Sequence, residues 1–481
     1  MRVHPRLGLA ALATAGLLAG CQSVGPNYRI PDEAVAGRPA ANAPFIGVEP
    51  RAASADPVPG AWWRLYQDPV LDELIGQALA ANTDLRVAQA NIARAEAGVR
   101  LAKDAGAPKT GIGGGVERGQ LSGEQYLLPV TLPVQTLYDL QFQATYQLDL
   151  FGQIKRGIEA ARADDESVRA AYDVTRITVV AETARAYADA CDAGEALAAA
   201  HRVLDLQKQS AALTARLVSG GRGNAADLTR VQGQVALSDA GIPALEAQRR
   251  IALYRLATLT GRPPAEFPKA VLGCAAPPRL AAPIPVGDGA ALIKRRPDIR
   301  RAERSLAAAT ARIGVATADL YPKVALGLNL GSTGVTRDFL KSDTDSYGLG
   351  PLITWTFPNR SAAEARISAA KAGAAADYAQ FDGTVLTALR EVESALTVYA
   401  RDLDRESDLE TARARAATAL DEAQRLQAAG RQGSLAVLEA ERSLALSDQS
   451  VVAIDGKLSQ DQIALFLALG GGWGSPGVDS Y

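Results

Sequence analysis

The chain has 481 residues, and its 51 basic and 53 acidic residues leave a formal net charge of −2. That balance excludes the concentrated basic footprint by which proteins bind nucleic acid. Only 5% of the residues are aromatic, while alanine is abundant, and this composition favours long helices packed closely side by side over one thick globular core.

The sequence contains few residues suited to catalysis. His4 lies in the N-terminal leader and His201 in an alanine-rich helical pattern, where a surface or packing role is far commoner than a catalytic one. The glycine-rich run 111–115 lacks the last glycine of a dinucleotide-binding loop and reads better as a strand. No P-loop and no nucleophile beside its base can be recognised, so we predict a protein that is not an enzyme and needs no cofactor or metal.

Residues 1–20 are predicted to be a lipoprotein signal peptide. A positively charged start precedes an apolar run, residues 7–18, that is too short for a permanent membrane span. It ends in the lipobox Leu18-Ala19-Gly20-Cys21, which predicts lipidation of Cys21; the alternative is an ordinary signal peptide with a cysteine nearby. Gln22, in place of the aspartate that retains lipoproteins at the inner membrane, points to the outer membrane of a Gram-negative bacterium.

Residues 21–61 are rich in proline, glycine and alanine and show no periodicity. We interpret them as a lipidated, extended tether that can reach tens of ångströms from the lipid. Ordered structure should begin at Trp62-Trp63, and Asp68-Pro69 should open a helix that runs to about residue 105.

Two strands are predicted next, near 108–118 and 137–151. In the second strand Tyr138, Leu140 and Phe142 alternate with Asp139, Gln141 and Gln143. The apolar side of such a strand faces either the core of a soluble sandwich or, in a membrane barrel, the lipid. Periodicity leaves both open, and the outer-membrane signal upstream favours the barrel.

A long helix over 154–219 follows, because this stretch has no proline and only two glycines. At helical rise it would measure roughly 100 Å. The glycine-rich tip 219–224 should turn the chain into a return helix that ends near 260, which completes a first repeat over 62–260. Residues 261–290 contain seven prolines and predict an irregular equatorial connector.

The same order of elements then recurs, which predicts two internal repeats. The two tips share a sequence pattern at an offset of 209 residues (425 − 216), and Pro322-Lys323 repeats Pro108-Lys109. The second repeat, 291–470, comprises a helix, strands near 322–332 and 347–357, a long helix over 362–429, a tip over 429–434 and a return helix, followed by a disordered tail over 471–481.

Cys191 and Cys274 remain once Cys21 is lipidated, and an oxidising compartment permits a disulfide between them. Helical rise places Cys191 about 45 Å, and the end of the return helix about 55 Å, from the first tip. Because Cys274 follows that end, both sulfur atoms should lie at a similar height. A bridge and two buried free thiols both fit these distances.

Four strands with an apolar, lipid-facing side would leave unpaired edges that a bilayer does not tolerate. Several chains should therefore share one barrel. Two chains would supply eight strands, whose interior side chains fill, and three would supply twelve, enough for a water-filled interior. The long helices would continue the same ring as a tube roughly 100 Å long, which would cross the periplasm.

The chain resembles the TolC-like outer membrane factors, in particular the lipoprotein (NodT-type) branch that serves RND multidrug efflux pumps. The resemblance covers nearly everything from Cys21 to Gly470 and rests on the two tips and on these motifs: Leu18-Ala19-Gly20-Cys21, Gly25-Pro26-Asn27-Tyr28, Trp62-Trp63, Asp149-Leu150-Phe151-Gly152, Arg295-Arg296-Pro297-Asp298-Ile299 and Tyr321-Pro322. It implies a mixed α/β membrane protein: a homotrimeric 12-stranded outer-membrane β-barrel, with four strands per chain, continued by a periplasmic α-helical barrel.

The resemblance also implies site residues. The family's tips dock on a periplasmic adaptor, and the positions that match are Gly221, Arg222, Gly223, Gly430, Arg431 and Gly433. The plainer interpretation is that turns need glycine. The family narrows its tunnel with acids above the tip, which suggests Asp227 and Glu439 as an aperture gate, since a ring of three acids binds cations. Either acid could instead be a solvated helix residue.

The function implied is a passive exit duct for drugs or other small toxic compounds. An inner-membrane RND transporter would drive export through the adaptor, while the duct is embedded in outer membrane lipid. An exit channel for type I protein secretion is the alternative within the same class. A third hypothesis is a periplasmic lipoprotein that forms a coiled-coil scaffold and no channel, but it leaves the four alternating strands unexplained.

Overall fold

A computed structural model describes residues 23–124, 127–355 and 360–471. The predicted signal peptide, the lipobox cysteine Cys21 and all of the predicted tail except Gly471 lie outside the described residues. The helices α1 to α8 have these bounds: Pro69–Ala81, Thr83–Asp104, Gln153–Ser219, Ala225–Leu259, Gly289–Arg295, Pro297–Ala318, Arg360–Ala428 and Ser434–Ala468. The strands β1 to β4 span Lys109–Gly119, Gln135–Leu148, Lys323–Val335 and Asp345–Thr354.

Local sequence explains where the helices begin and end. Asp68 caps α1, because its side chain accepts hydrogen bonds from the backbone N–H groups of Val70 (2.9 Å) and Leu71 (3.1 Å), and Pro69 fills the first helical position. The helix α3 continues for 67 residues and α7 for 69. Neither contains proline, so nothing removes a backbone donor from the hydrogen-bond ladder.

Contacts between Cα atoms divide the chain into two compact units. Unit 1 comprises residues 1–31, 92–168 and 301–381, and unit 2 comprises residues 32–91, 169–300 and 382–481.

Unit 1 contains one four-stranded antiparallel sheet in the order β1-β2-β3-β4. Its register sorts the side chains by polarity. Phe142 lies opposite Ile112 on one side and Leu330 on the other, and Leu330 lies opposite Tyr347. On the opposite face, residues such as Gln143, Asn329 and Gly348 follow one another across the strands. One face of the sheet is therefore apolar and the other is polar.

The outer strands β1 and β4 each pair on one side only within the described part of the chain. Their apolar side chains are also open to solvent in a single chain: Ile112 is 77% exposed and Tyr347 is 87% exposed. Unpaired backbone groups beside exposed apolar side chains mark an incomplete sheet.

The N-terminal segment is fastened to unit 1 at its first described residues. The backbone N–H of Val24 donates to the carbonyl of Phe151 (3.1 Å), and Arg156 donates to the side chain of Asn27 (2.8 Å). The Tyr28 hydroxyl donates to Glu303 (2.6 Å). The motif Gly25-Pro26-Asn27-Tyr28 thus has a packing role in the fold.

The part of this segment in unit 2 makes contacts that the interpretation as an extended tether did not predict. The backbone N–H of Val35 donates to Asp382 (2.9 Å), and those of Ile46 and Gly47 donate to the carboxylate of Glu393 (2.8 Å each). Carboxylates along one helix therefore satisfy backbone donors that an irregular segment cannot pair internally. At these residues the segment is bonded to the fold, and Ala53–Ser54 also pairs in parallel with Ile284–Pro285.

None of the helices in the described ranges combines the length and the hydrophobicity that a membrane span requires.

The core of unit 2 includes Trp62, which stacks on Phe466 with ring centroids 4.6 Å apart.

Candidate functional site

The first tip is a helix-terminating turn built on glycine. Gly221 has a φ of 70°, and its N–H donates to the carbonyl of Val218 (3.0 Å), while the N–H of Arg222 donates to Leu217 (2.8 Å). These two bonds satisfy carbonyls that the end of α3 would otherwise leave without a partner.

The second tip has the same geometry. Gly430 also has a φ of 70°, its N–H donates to Gln427 (2.9 Å), and the N–H of Arg431 donates to Leu426 (2.9 Å). The correspondence continues after the turn, because α4 and α8 both have 35 residues. Both return helices are also followed by a glycine with positive φ, Gly261 and Gly470, again 209 residues apart (470 − 261).

The two tips differ in how the return helix starts. Asn224 caps α4 by accepting a hydrogen bond from the N–H of Ala226 (2.9 Å). In the second hairpin Gly433 is the N-cap and makes no side-chain cap bond, and the helix begins at Ser434.

The geometry of the turns requires glycine at three of the four tip positions where the sequence has it. Gly221 and Gly430 need positive φ, and a Cβ at Gly223 would lie 2.8 Å from the backbone nitrogen of Val218. Gly433 has a φ of −81°, and a Cβ there would meet nothing within 4 Å. All four glycines are exposed, as are Arg222 and Arg431. Gly433 is therefore the tip glycine that the fold itself does not require.

The two acids predicted as a gate lie in different surroundings. Asp227, half-buried near the start of α4, accepts from Arg230 (2.8 Å). Glu439 is exposed on α8 and lines a cavity that Arg230 also lines. Arg230 is therefore the ion-pair partner of Asp227 and lines the same cavity as Glu439.

Cys191 and Cys274 form a disulfide in unit 2, with their Cα atoms 5.1 Å apart. Cys191 is fully buried on α3, and Cys274 follows a short 3₁₀ turn, Lys269–Gly273, in the connector. The bond ties a long helix to the irregular segment 261–290.

Further contacts hold that connector in place, and no sequence motif indicates them. Arg279 donates to Glu406 on α7 (2.6 Å) and to Asp455 on α8 (2.8 Å). Gln462 accepts from the backbone N–H of Leu280 (3.1 Å), and Ser459 donates to the carbonyl of Pro278 (2.8 Å). The connector is thus bonded to α3, α7 and α8, although its own sequence is irregular. Its proline content predicted only that it would be irregular.

An acidic group lies beside the disulfide. Burial, together with the negative charges of Asp189, Glu195 and Asp455, raises the pKa of Asp192 to about 6. Burial also raises the pKa of Asp455 to about 6, against the opposing effect of Arg279. There is no room for a Cβ at Gly456, where the Asp192 carboxylate packs on α8. Among the described residues, no group of three or more His, Cys, Asp or Glu side chains is placed to hold a metal ion.

Asp192→Asn should stabilise the protein near neutral pH. A carboxyl whose pKa is higher in the native state than in the unfolded state takes up its proton at a higher pH when the protein is folded. The free energy of unfolding therefore rises as pH falls from 7 towards 4. Removing the charge should therefore raise the free energy of unfolding by about 1 kcal/mol at pH 7.5, after allowance for partial exposure. The gain should shrink at pH 5.5, as measured by thermal unfolding at both pH values.

The matched control is Asp205→Asn, which removes an exposed carboxylate from the same helix. It should leave the pH dependence of the unfolding temperature unchanged. An Asp192→Asn protein that gains no stability at pH 7.5 would show that this carboxylate is not destabilised in the native state.

Comparison with known proteins places these features in context. The profile of a family described as "Outer membrane efflux protein" matches residues 74–262 and 290–471. Nodulation protein T of Rhizobium leguminosarum bv. viciae is 29% identical over 98% of this chain and 95% of its own length. The pyoverdine export outer membrane protein OpmQ of Pseudomonas putida is 30% identical over 88% of this chain and 91% of its own length. The solved structure of the outer-membrane channel OprN is 32% identical, superposes with a TM-score of 0.86, and is matched over 94% of this chain and 99% of that one.

Proposed function

Because this chain belongs to the family of outer membrane efflux proteins, we propose that it is the outer membrane channel of a tripartite efflux system. It would act as a passive duct through which drugs or other small toxic compounds leave the cell. An inner-membrane RND transporter would supply the energy, and a periplasmic adaptor would join that transporter to the channel. The observation that carries this proposal is the match over nearly the whole chain to the outer-membrane channel OprN.

The sheet supports assembly into a trimer. One face is apolar, the other is polar, and β1 and β4 leave free edges in the described chain. Three copies joined edge to edge would close twelve strands into a barrel, remove all six edges and turn the apolar face towards lipid. The two hairpins of each chain would then contribute to a periplasmic α-helical barrel, and their shared 209-residue offset supports an origin in two internal repeats.

Purification in detergent tests this assembly directly. We expect light scattering to give the mass of three chains and insertion into a planar bilayer to give stable conductance steps. A monodisperse single chain without conductance would overturn both the trimer and the duct. Deleting the gene should sensitise the bacterium to the exported compounds, and restoring the full chain should reverse that effect.

We also infer that Cys21 is lipidated and anchors the protein to the outer membrane. The support is the lipobox Leu18-Ala19-Gly20-Cys21 together with the attachment of residues 24–28 to unit 1, which begins only three residues after the cysteine. Mass spectrometry of the mature N-terminal peptide should find acyl chains on Cys21, and Cys21→Ser should leave the precursor unprocessed. An unmodified N-terminal peptide from the native protein would contradict the anchor.

The tips are the proposed contact for the adaptor. Gly433→Leu offers the sharpest test, because neither the φ angle nor the space around Gly433 demands glycine. The variant should fold and assemble normally and yet lose drug export, while Gly98→Leu on α2, with nothing near its Cβ position, should leave export intact. Full export by Gly433→Leu would remove this position from the contact.

Asp227 and Glu439 are proposed to form the narrow, cation-selective part of the duct. Three copies of an exposed carboxylate at one level would attract cations and repel anions. In a planar bilayer, Glu439→Gln should lower the cation preference severalfold, and Asp227→Asn should lower it less because Arg230 already balances that charge. Glu246→Gln, an exposed change on α4, is the control, and an unaltered reversal potential in Glu439→Gln would exclude this gate.

A further inference from the structure

A cavity of about 310 Å³ lies between α3, α4 and α8, and its lining begins at Leu435, in the first turn of α8 after the second tip. Gln207 reaches it from α3, Val231 from α4, and Leu435, Leu438 and Glu441 from α8. All of these residues belong to unit 2. The cavity is distinct from the proposed adaptor contact at the tips, because none of the tip residues lines it.

Two hydrogen-bond acceptors in the cavity wall have no partner among the described residues. Gln207 is only 6% exposed, and its side-chain oxygen Oε1 accepts no hydrogen bond. Oε2 of Glu441 is also buried without a partner, while Oε1 of the same carboxylate accepts from the Ser210 hydroxyl (2.7 Å). Gln207 and Ser210 are three residues apart on α3 and so share one helix face, and Gln207 and Glu441 both line the cavity.

The charge of the cavity favours a positive ligand. Arg230, Arg442 and Glu439 lie at its exposed rim, and Arg230 is paired with Asp227. The charges of Arg230 and Arg442 are balanced by those of Asp227 and Glu439, and solvent screens them. Glu441 supplies the charge of the less exposed wall, where electrostatic attraction is stronger because water is partly excluded.

The remaining wall is apolar, since Val231, Leu435 and Leu438 line it. A cavity of about 150 Å³ already accommodates benzene in an engineered protein, so 310 Å³ has room for a ring and a polar head. Ordered water could satisfy the two oxygens, but water gains nothing from the leucine and valine side chains.

We propose that this cavity is a binding site for a small organic cation with an apolar or aromatic body. A planar amidinium or a primary ammonium group would donate one hydrogen bond to Oε2 of Glu441 and one to Oε1 of Gln207. The apolar part of the ligand would pack on Val231, Leu435 and Leu438. A molecule bound there would bridge α3, α4 and α8, and so join the two hairpins of one chain.

Calorimetric titration of the full-length protein in detergent with benzamidine tests the site. Benzamide, which has the same shape and no charge, is the comparison ligand, and benzoate reverses the charge. We expect saturable binding of one benzamidine per chain and at least tenfold weaker binding of both comparison ligands. Equal binding of benzamidine and benzamide, or no saturable binding at all, would overturn the proposal and leave water as the occupant.

Variants locate the binding within the protein. Glu441→Gln keeps the acceptor for Ser210 and the volume of the side chain, and it should weaken benzamidine binding at least tenfold. Gln207→Leu should weaken it severalfold. Glu246→Gln removes an exposed carboxylate from α4 and should bind like the native protein. Circular dichroism and the assembled mass establish that each variant is folded. Native-like affinity in a folded Glu441→Gln protein would show that benzamidine binds elsewhere and would contradict the proposed site.

Discussion

Arg296→Ala is expected to lower the free energy of unfolding by about 3–5 kcal/mol, the usual cost of removing one partner from a buried charge network. The Arg296 side chain is nearly buried, and its guanidinium donates to Asp298 (2.6 Å), Glu391 (2.8 Å) and the carbonyl of Ala468 (2.8 Å). The substitution would leave two carboxylates and the last turn of α8 without their shared donor.

Arg296→Lys should recover little of that loss, because an ammonium group cannot reproduce the planar arrangement of several N–H donors in a guanidinium. Lys294→Ala, an exposed change two residues away, is the matched control and should shift the unfolding temperature by less than about one degree. Thermal unfolding of the three variants at one heating rate makes the comparison. An Arg296→Ala protein as stable as the native one would show that this network adds nothing to the fold.

Replacing both Cys191 and Cys274 with alanine should cost about 4.5 kcal/mol, the value that the chain-entropy relation gives for a loop of this length. The two residues are 83 positions apart, so the bond restricts a long stretch of the unfolded chain. The native state also loses the covalent link between α3 and a connector that has little regular structure of its own.

The design of this experiment separates the bond from the packing of its sulfur atoms. Each single variant, Cys191→Ala or Cys274→Ala, already breaks the bond and should lose nearly as much stability as the double variant. Treating the native protein with a thiol reductant removes the bond without changing a residue and should give a similar loss. Additive losses from the two single variants, with no effect of reductant, would contradict a stabilising disulfide.

The parts of the site that sequence could predict are local ones. Glycine at 221 and 430 marked the ends of two long helices because a left-handed residue is needed there, and the structure has φ of 70° at both. The alternation of Tyr138, Leu140 and Phe142 with polar residues predicted a two-faced strand, and β2 covers these positions. Each of these signals depends on a few neighbouring residues.

The parts that sequence could not predict depend on residues far apart in the chain. Gln207 and Glu441 carry no motif, and Arg279 looks like any charged residue of a loop, although it holds Glu406 and Asp455. The N-terminal segment lacks periodicity, which predicts an extended tether, whereas Asp382 and Glu393 accept hydrogen bonds from its backbone.

The sequence by itself therefore determined which segments are helices and strands, where the hairpins turn, and which side of each strand is apolar, since hydrophobic periodicity and the φ preference of glycine act over a few residues. Only the tertiary structure decided that β2 pairs with β3, that Cys191 meets Cys274, and that Gln207 and Glu441 line one cavity. Those outcomes depend on which distant surfaces pack together, and no single stretch of chain encodes that choice.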